Sequence, residues 1–593
     1  MRTRSALLVA SCVLAASVVT GGALNESVGA DKGIPPNHPQ LTKFSKVSDI
    51  VMDKCMACHS RNYDLPFYAK IPGIKEIIEK DFNDGLRAMD LNLELVEAAK
   101  DKPIGEATLA KMEWVIVNET MPPAKFTAVH WGSRVSSEDR AAILDWVKAS
   151  RAAHYATGLA APRHADEPLQ PLPDALPVNA AKVALGEKLF VDKRLSGDNT
   201  VACVTCHDFS KAGTDNKRFA EGIRGQFGDI NAPTMFNAAF NTKQFWNGRA
   251  ADLQEQAGGP PMNPIEMGSK DWDEICAKLA QDPELTAAFT AVYPDGWNGK
   301  NVTDAIAEYE KTLITPNSRF DKWLKGDDKA LTAQEIEGYQ RFKMYRCSSC
   351  HVGKSVGGQS FEYMDLKKAY FGDRGNPLGS DEGLKGFTGK VEDLHRFKVP
   401  NLRNVELTAP YLHDGTVTTL DEAVRIMGVY LSGMDIPKGD RDLIVGFLRT
   451  LTGEWNGKPL AGEAVKELVV RKRIKGGIGN PGAAFFDPVK TWGSSISGAF
   501  LLRVEKEASA PALRLRKGNK GSCNNFTEWI PSGLFSGKYV PAVRCNTDLL
   551  ECIGDTLGNK MFGSRIMVRN KMKKRFLCTQ GGAWKAKQGK SGF

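Results

Sequence analysis

Beyond its first two dozen residues this 593-residue chain has no apolar run of 18 residues, about the length a helix needs to cross a bilayer. That excludes a polytopic membrane protein and leaves a soluble one, or one tethered only at its N-terminus. No series of alternating strand patterns stands out, so the predicted fold class is mainly α, in tandem cytochrome c-like units with long loops. Histidine is scarce, at nine residues, and none lies between His207 and His351. Twelve cysteines would suit a disulfide framework in an oxidising compartment, but spacing overrides that use for half of them. Paired CxxC knuckles at zinc-ribbon separations are missing, as is a lone CxxC beside a βαβ unit.

The charge is unevenly placed. Residues 471–593 hold 23 Lys and Arg against 7 Asp and Glu, leaving 56 of the 79 basic and 63 of the 70 acidic residues to the rest. The body is therefore mildly acidic and the basicity belongs to a separate segment. MRTRSALLVASCVLAASVVTGGAL at the start is a short basic region followed by an apolar stretch, which reads as an export signal. If uncut, the same run would serve as an N-terminal membrane anchor.

Three phrases repeat one pattern: Cys55-Met-Ala-Cys58-His59, Cys203-Val-Thr-Cys206-His207 and Cys347-Ser-Ser-Cys350-His351. CxxCH is the attachment signature of c-type haem, in which two thiols hold the vinyl edges and the histidine ligates iron. Three covalent haem c groups are expected, and export agrees, because such haem is attached outside the bacterial cytoplasm. The division that follows is a signal over 1–24, a haem unit over 25–160 and a Pro-rich linker over 161–182. A second haem unit spans 183–330 and a third 331–460. Residues 461–593 form a basic tail of unassigned role, read as a small disulfide-bonded module or a disordered extension.

From Leu185 to about Gly453 the chain resembles the bacterial di-haem cytochrome c peroxidase family, which includes the methylamine-utilisation di-haem oxidases. The phrases RLSGDNTVACVTCHDFSKAGTDN, NAPTMFNAAFNTKQFWNGRAADLQEQAGGPPMNPIEM and FKVPNLRNVELTAPYLHDGTVTTLDEAVRIMG carry that resemblance. The N-terminal unit, through CMACHSRNYDLPFY and MPPAKFTAVH, resembles a separate haem-binding module, as in the tri-haem branch of the family.

The resemblance implies roles. Met427, 14 residues after His413, matches the axial methionine of the electron-transfer haem held by His351; the oxidase branch has tyrosine in that role. For the His59 haem, Met121 is the favoured sixth ligand, with His130 the alternative. Glu266 matches the family's acid/base residue and Gln256 its peroxide-orienting amide. Pro260 shapes the pocket, and Trp246 matches the tryptophan between the haems. Asn231, Thr408 and Pro410 match a calcium site built from one side-chain oxygen and two carbonyls. His395 and His413 are expected to brace loops or propionates, and Cys276 to be a buried thiol. Many relatives cap the resting peroxidatic haem with a histidine in the loop after CxxCH. In FAEGIRGQFGDINAPT that place falls to Ile223, which has no lone pair, so the iron at His207 should be open.

The leading reading is an exported, periplasmic tri-haem peroxidase that reduces hydrogen peroxide to water. Its electrons would come from a small cytochrome, a cupredoxin or a quinol. No nucleic acid partner is expected, and a homodimer is allowed. Two other readings stay open: an oxidase-like enzyme that oxidises an organic or protein substrate through ferryl haem, and a non-enzymatic electron carrier with all three haems closed.

Overall fold

A helix needs a cap to start it and an apolar stripe to pack, and residues 136–154 have both. Ser136 accepts a hydrogen bond from the Asp139 N–H, and the Asp139 carboxylate accepts one from the Ser136 N–H. The helix that follows buries Ile143, Trp146 and Val147, an i, i+3, i+4 face. The computed structural model of the chain describes residues 45–61, 67–92, 94, 103–128 and 130–460, and, as backbone alone, six strands between 501 and 586. The expected signal over 1–24 lies outside the described residues. The chain divides at Gly477/Ile478 into two compact units.

Within the first unit the helices gather around three hydrophobic clusters. α1 (Ser45–Lys54), α2 (Ile74–Ala88), α3 (Glu106–Val117) and α4 (Ser137–His154) come first. Among the side chains they enclose are Val51, Met56, Leu109, Met112 and Trp146. α5 (Ala180–Phe190), α6 (Leu253–Met262) and α7 (Gly299–Glu310) enclose Leu189, Phe236, Ile275 and Ile306. α8 (Ala333–Met344), α9 (Leu420–Ile426) and α10 (Lys438–Leu448) enclose Tyr339, Ile444 and Phe447. A two-stranded antiparallel ladder, β1 (Phe361–Tyr363) with β2 (Arg396–Lys398), pairs Glu362 with Phe397.

The second and third clusters are closed in the same way, by a helix–helix crossing through glycine. A Cβ on Gly186 of α5 would lie 2.0 Å from the Ala305 carbonyl oxygen of α7, and one on Gly338 of α8 would lie 2.1 Å from the Leu443 oxygen of α10. Only glycine lets the two backbones approach so closely. At the first motif a Cβ on Gly85 of α2 would lie 2.3 Å from the Cys58 carbonyl oxygen.

One buried ion pair ties the third cluster to the linker. Arg403 and Asp321 are fully buried and 2.8 Å apart. The guanidinium also donates to the Gln170 and Lys354 carbonyls, and the carboxylate accepts from Ser318 and the Leu172 N–H.

After residue 478 the described backbone is β rather than helical. β3 (Leu501–Lys506), β4 (Ala512–Asn519) and β5 (Ser522–Pro531) form one antiparallel sheet. β6 (Met567–Arg569), β7 (Arg575–Leu577) and β8 (Lys585–Ala586) form a second. The period-two pattern of Leu513-Arg514-Leu515-Arg516 accounts for the strand β4. Cys523 lies in β5, while Cys545, Cys552 and Cys578 lie outside the described residues. Among the described residues no helix is long and apolar enough to cross a membrane.

Asp321→Ala should lower the unfolding free energy of the haem-bearing unit by about 3–5 kcal/mol, because it strands a buried guanidinium. Replacing the pair together, Asp321→Leu with Arg403→Met, should cost far less. Denaturant unfolding of the two variants checks the difference.

Candidate functional site

Each CxxCH motif folds into one tight turn. The backbone N–H of the histidine donates to the carbonyl of the first cysteine at 3.2 Å for His59 and at 3.0 Å for His207 and His351. Nδ1 of each ring then faces a backbone carbonyl: His59 to Met89 at 2.9 Å, His207 to Gly213 at 3.2 Å and His351 to Val356 at 3.4 Å. A carbonyl only accepts, so Nδ1 carries the hydrogen and Nε2 is left with its lone pair free for a metal. Burial holds all three imidazoles in the neutral form, His351 down to about 4. It also pushes the Cys55, Cys203, Cys347 and Cys350 thiols up to about 12.

All three motifs open on one continuous cavity of about 820 Å³. Two thiols and a neutral imidazole at three places on its wall are the donor set of c-type haem, so the residues fit that group. The cavity also receives every other residue expected at the site: Met121, Asn231, Trp246, Gln256, Pro260, Glu266, Thr408, Pro410 and Met427.

Around the second motif, Gln256 and Pro260 lie on α6, which is started by Asp252 accepting from the Glu255 N–H at 2.9 Å. Glu266 follows in the next turn. Its carboxylate accepts from the Asn263 amide at 2.8 Å. Burial pushes its pKa up, against the opposing pull of the Arg249 charge and the Asn263 bond. Arg249 was missed from sequence. It lies inside the phrase QFWNGRA, and its guanidinium carbon rests 3.4 Å from the Phe245 ring centroid.

Ile223 does not line the cavity. Its side chain is buried in the α5–α7 cluster, and Ala220 and Gly222 contribute to the cavity wall instead. The Ile223 N–H donates to the Glu266 carbonyl at 3.0 Å, so this tract is pinned to the loop that carries the carboxylate.

Trp246 stands where the second and third units meet. Its indole N–H donates to the Asn231 carbonyl at 3.0 Å, and its own carbonyl accepts from the Lys398 N–H at 2.8 Å. Met427 begins a π-helical turn, Met427–Ser432, directly after α9, and packs with Trp246 against one apolar cluster. His413 and His395 each face a carboxylate, Asp381 at 2.8 Å and Asp365 at 2.9 Å. Cys276 is a partly buried free thiol. At the expected calcium site, the Asn231 amide donates to the Lys217 carbonyl at 2.7 Å and its N–H to the His413 carbonyl at 2.7 Å. Among the described residues no cluster of three or more His, Cys, Asp or Glu could hold a metal.

In the first unit Met121 lines the cavity, whereas His130 does not. His130 bonds to the Tyr68 hydroxyl at 2.7 Å and stacks on Phe126. α3 then reaches the third motif. Ala107 and Ala110 pack on Val352, Lys111 pairs with Glu362 at 2.7 Å, and the Trp114 indole donates to the Lys343 carbonyl beneath Arg346. Sequence reading passed over this docking face because its residues are individually ordinary.

Comparison with known proteins agrees with this geometry. Residues 180–329 match the family model described as di-haem cytochrome c peroxidase, and residues 27–149 match a haem-binding domain. Cytochrome c peroxidase Ccp of Escherichia coli (strain K12) is 51% identical over 418 residues, 70% of this chain and 89% of that protein. The cytochrome c551 peroxidase of Nitrosomonas europaea is 45% identical over 292 residues, 49% of this chain and 85% of its own length. That of Pseudomonas aeruginosa is 42% identical over 283 residues, 47% and 80% of the two chains. Identity at half the positions over nine-tenths of a relative places the chain in the di-haem cytochrome c peroxidase family, haem oxidoreductases that act on hydrogen peroxide.

Proposed function

We propose that this peroxidase carries three haem c groups and reduces hydrogen peroxide at an open haem held by His207. The observation that carries this reading is the wall facing that motif. Among the described residues the histidines lining the cavity are His59, His207, His351 and His413; the first three belong to CxxCH motifs and the fourth is engaged by Asp381. The Met235 and Met267 thioethers on the wall belong to the buried α5–α7 cluster. Ile223 has turned inward, and the polar groups on this part of the wall include Gln256, Glu266, Arg249 and Glu310.

Haem supplies the redox iron; the protein supplies position and proton movement. Peroxide reduction consumes two electrons and two protons and yields two waters. Glu266 would take a proton from one peroxide oxygen and return it to the other, which leaves as water. Gln256 orients the peroxide, Asn263 fixes the Glu266 carboxylate, and Pro260 shapes the end of α6. Trp246 would stand between the second and third haems. Met427 would help to hold the third and Met121 the first, and thioether ligation would suit both to storing and passing electrons.

The docking of α3 on the CSSCH turn supports electrons arriving through the first unit. The donor is a cytochrome, with a cupredoxin or a quinol as the other chemistries this unit could accept. Asn231, Thr408 and Pro410 would hold one calcium ion between the second and third units. The N-terminal signal directs the chain to the periplasm.

Low-temperature EPR of the fully oxidised, haem-loaded enzyme should show high-spin ferric iron from about one haem in three, abolished by cyanide. Three low-spin haems would sink the open-site reading.

Glu266→Gln should lower the rate of peroxide reduction by about 10²–10⁴-fold. Asn263→Ala removes a bond that favours the carboxylate, so the Glu266 pKa rises. Activity needs the carboxylate and is lost as pH falls through that pKa. The acid limb of the pH–rate profile should therefore move to higher pH, and an unmoved limb would exclude Glu266 as the base.

A further inference from the structure

Glu310 ends α7 on the wall of the haem cavity and differs from other buried carboxyl groups of the haem-bearing unit. Asp321 has Arg403, Glu106 has Arg151, Glu362 has Lys111 and Asp381 has Arg374. Glu310 is 7% exposed, and its Oε2 has no hydrogen-bond partner. It borders the cavity, and its charge acts on the Cys203 thiol of the second motif. A lone carboxylate is costly to bury, and burial alone pushes this one up to about 8.

Several charged groups on the elements packed against α7 are engaged elsewhere. Lys182 of α5 pairs with Asp304, Glu255 of α6 accepts from the Ala251 N–H, and Glu274 pairs with Lys278 on the helix Trp272–Leu279. On α7 itself Glu308 pairs with Lys311. Glu187 of α5 acts on Tyr309, as Glu310 does. Tyr309 packs its ring on Phe190, 5.5 Å between centroids.

What changes beside Glu310 in the working enzyme is the charge at the iron. An electron arriving there adds a negative charge and raises the proton affinity of a nearby carboxylate. By linkage, the proton once bound raises the electron affinity of the iron by the same free energy. We propose that Glu310 is the redox-linked proton site of the peroxidatic centre, binding one proton when the iron at His207 gains one electron wherever the carboxyl is ionised in the oxidised enzyme. The electron comes from the enzyme's own donor through the third centre, and the proton from water. No other bond is made or broken, and the proton leaves when the electron does. This rests on haem at His207 and deepens the peroxidase reading by giving the cavity a second proton-bearing carboxyl with a role separate from Glu266.

The sign follows from the charge. Where Glu310 is protonated in both redox states the midpoint potential is independent of pH. Once the oxidised form loses its proton, above about pH 8, the potential falls as pH rises. It then approaches 59 mV per pH unit, the one-electron value for a tenfold change.

Spectroelectrochemical titration of the intact, haem-loaded enzyme across this range should resolve one haem component with that bend. In Glu310→Gln the same component should stay level near the low-pH value of the unaltered enzyme, because glutamine is neutral, and the other two should not change. An equal slope in both proteins, or a level potential in the unaltered enzyme, would overturn the assignment. Should Glu310→Gln fail to accumulate, redox-difference infrared spectra of the unaltered enzyme above pH 8 give the same decision. A protonated-carboxyl band must be gained on reduction, and its absence overturns the proposal. The open-site reading stands or falls on high-spin iron, whatever the slope, so the two failures are distinct.

Discussion

A neutral imidazole with one nitrogen tied to a backbone carbonyl can present only the other nitrogen, and this constraint organises the haem-bearing unit. It is met three times, at His59, His207 and His351, by carbonyls from loops that each motif folds against itself or its neighbour. Around each of the second and third motifs the helices cross through a glycine, so close that no side chain could be added to the crossing. The hydrophobic clusters are separate, yet the three imidazoles share one cavity. Three cores with a common interior suit the proposed reading, in which distinct centres pass charge between them.

In the proposed reading, what distinguishes the three centres is the cavity wall. The thioethers of Met121 and Met427 line it, the latter at the point where α9 widens into a π-turn. Such widenings re-aim a side chain that a regular helix would direct elsewhere. Beside the second motif the wall holds a carboxyl whose proton affinity is raised by burial and moderated by Arg249 and Asn263. A soft ligand closes a site, whereas a carboxyl of raised pKa is useful only where a small molecule can reach it.

Much of this was legible in the sequence, because covalent haem imposes a fixed spacing of cysteines and histidine that no packing preference imitates. The positions of Gln256, Glu266, Trp246 and Met427 on one cavity were likewise readable from long phrases. Arg249 was not, since an arginine among polar neighbours gives no sign of resting on Phe245. The inward turn of Ile223 was also hidden: composition shows that it cannot bind iron, but only the fold shows that Ala220 and Gly222 take its place. The strands after residue 500 were passed over because their alternation is short and interrupted by glycine and lysine.

The docking of the first unit shows how a weakly apolar face can still be specific. Ala107 and Ala110 offer little area against Val352, so hydrophobic burial alone would hold α3 in several registers. Lys111 removes that freedom. Its ammonium is 2.7 Å from the Glu362 carboxylate and also donates to the Ala88 carbonyl, and any slip along α3 would leave two buried groups without partners. A buried pair of this kind adds little net stability, because desolvation offsets most of the attraction, but breaking it is expensive. The register so held sets the Trp114 indole beneath Arg346, the residue immediately before Cys347. The part of the interface that contributes least to stability therefore sets the geometry between the first and third motifs, on which the proposed passage of electrons would depend.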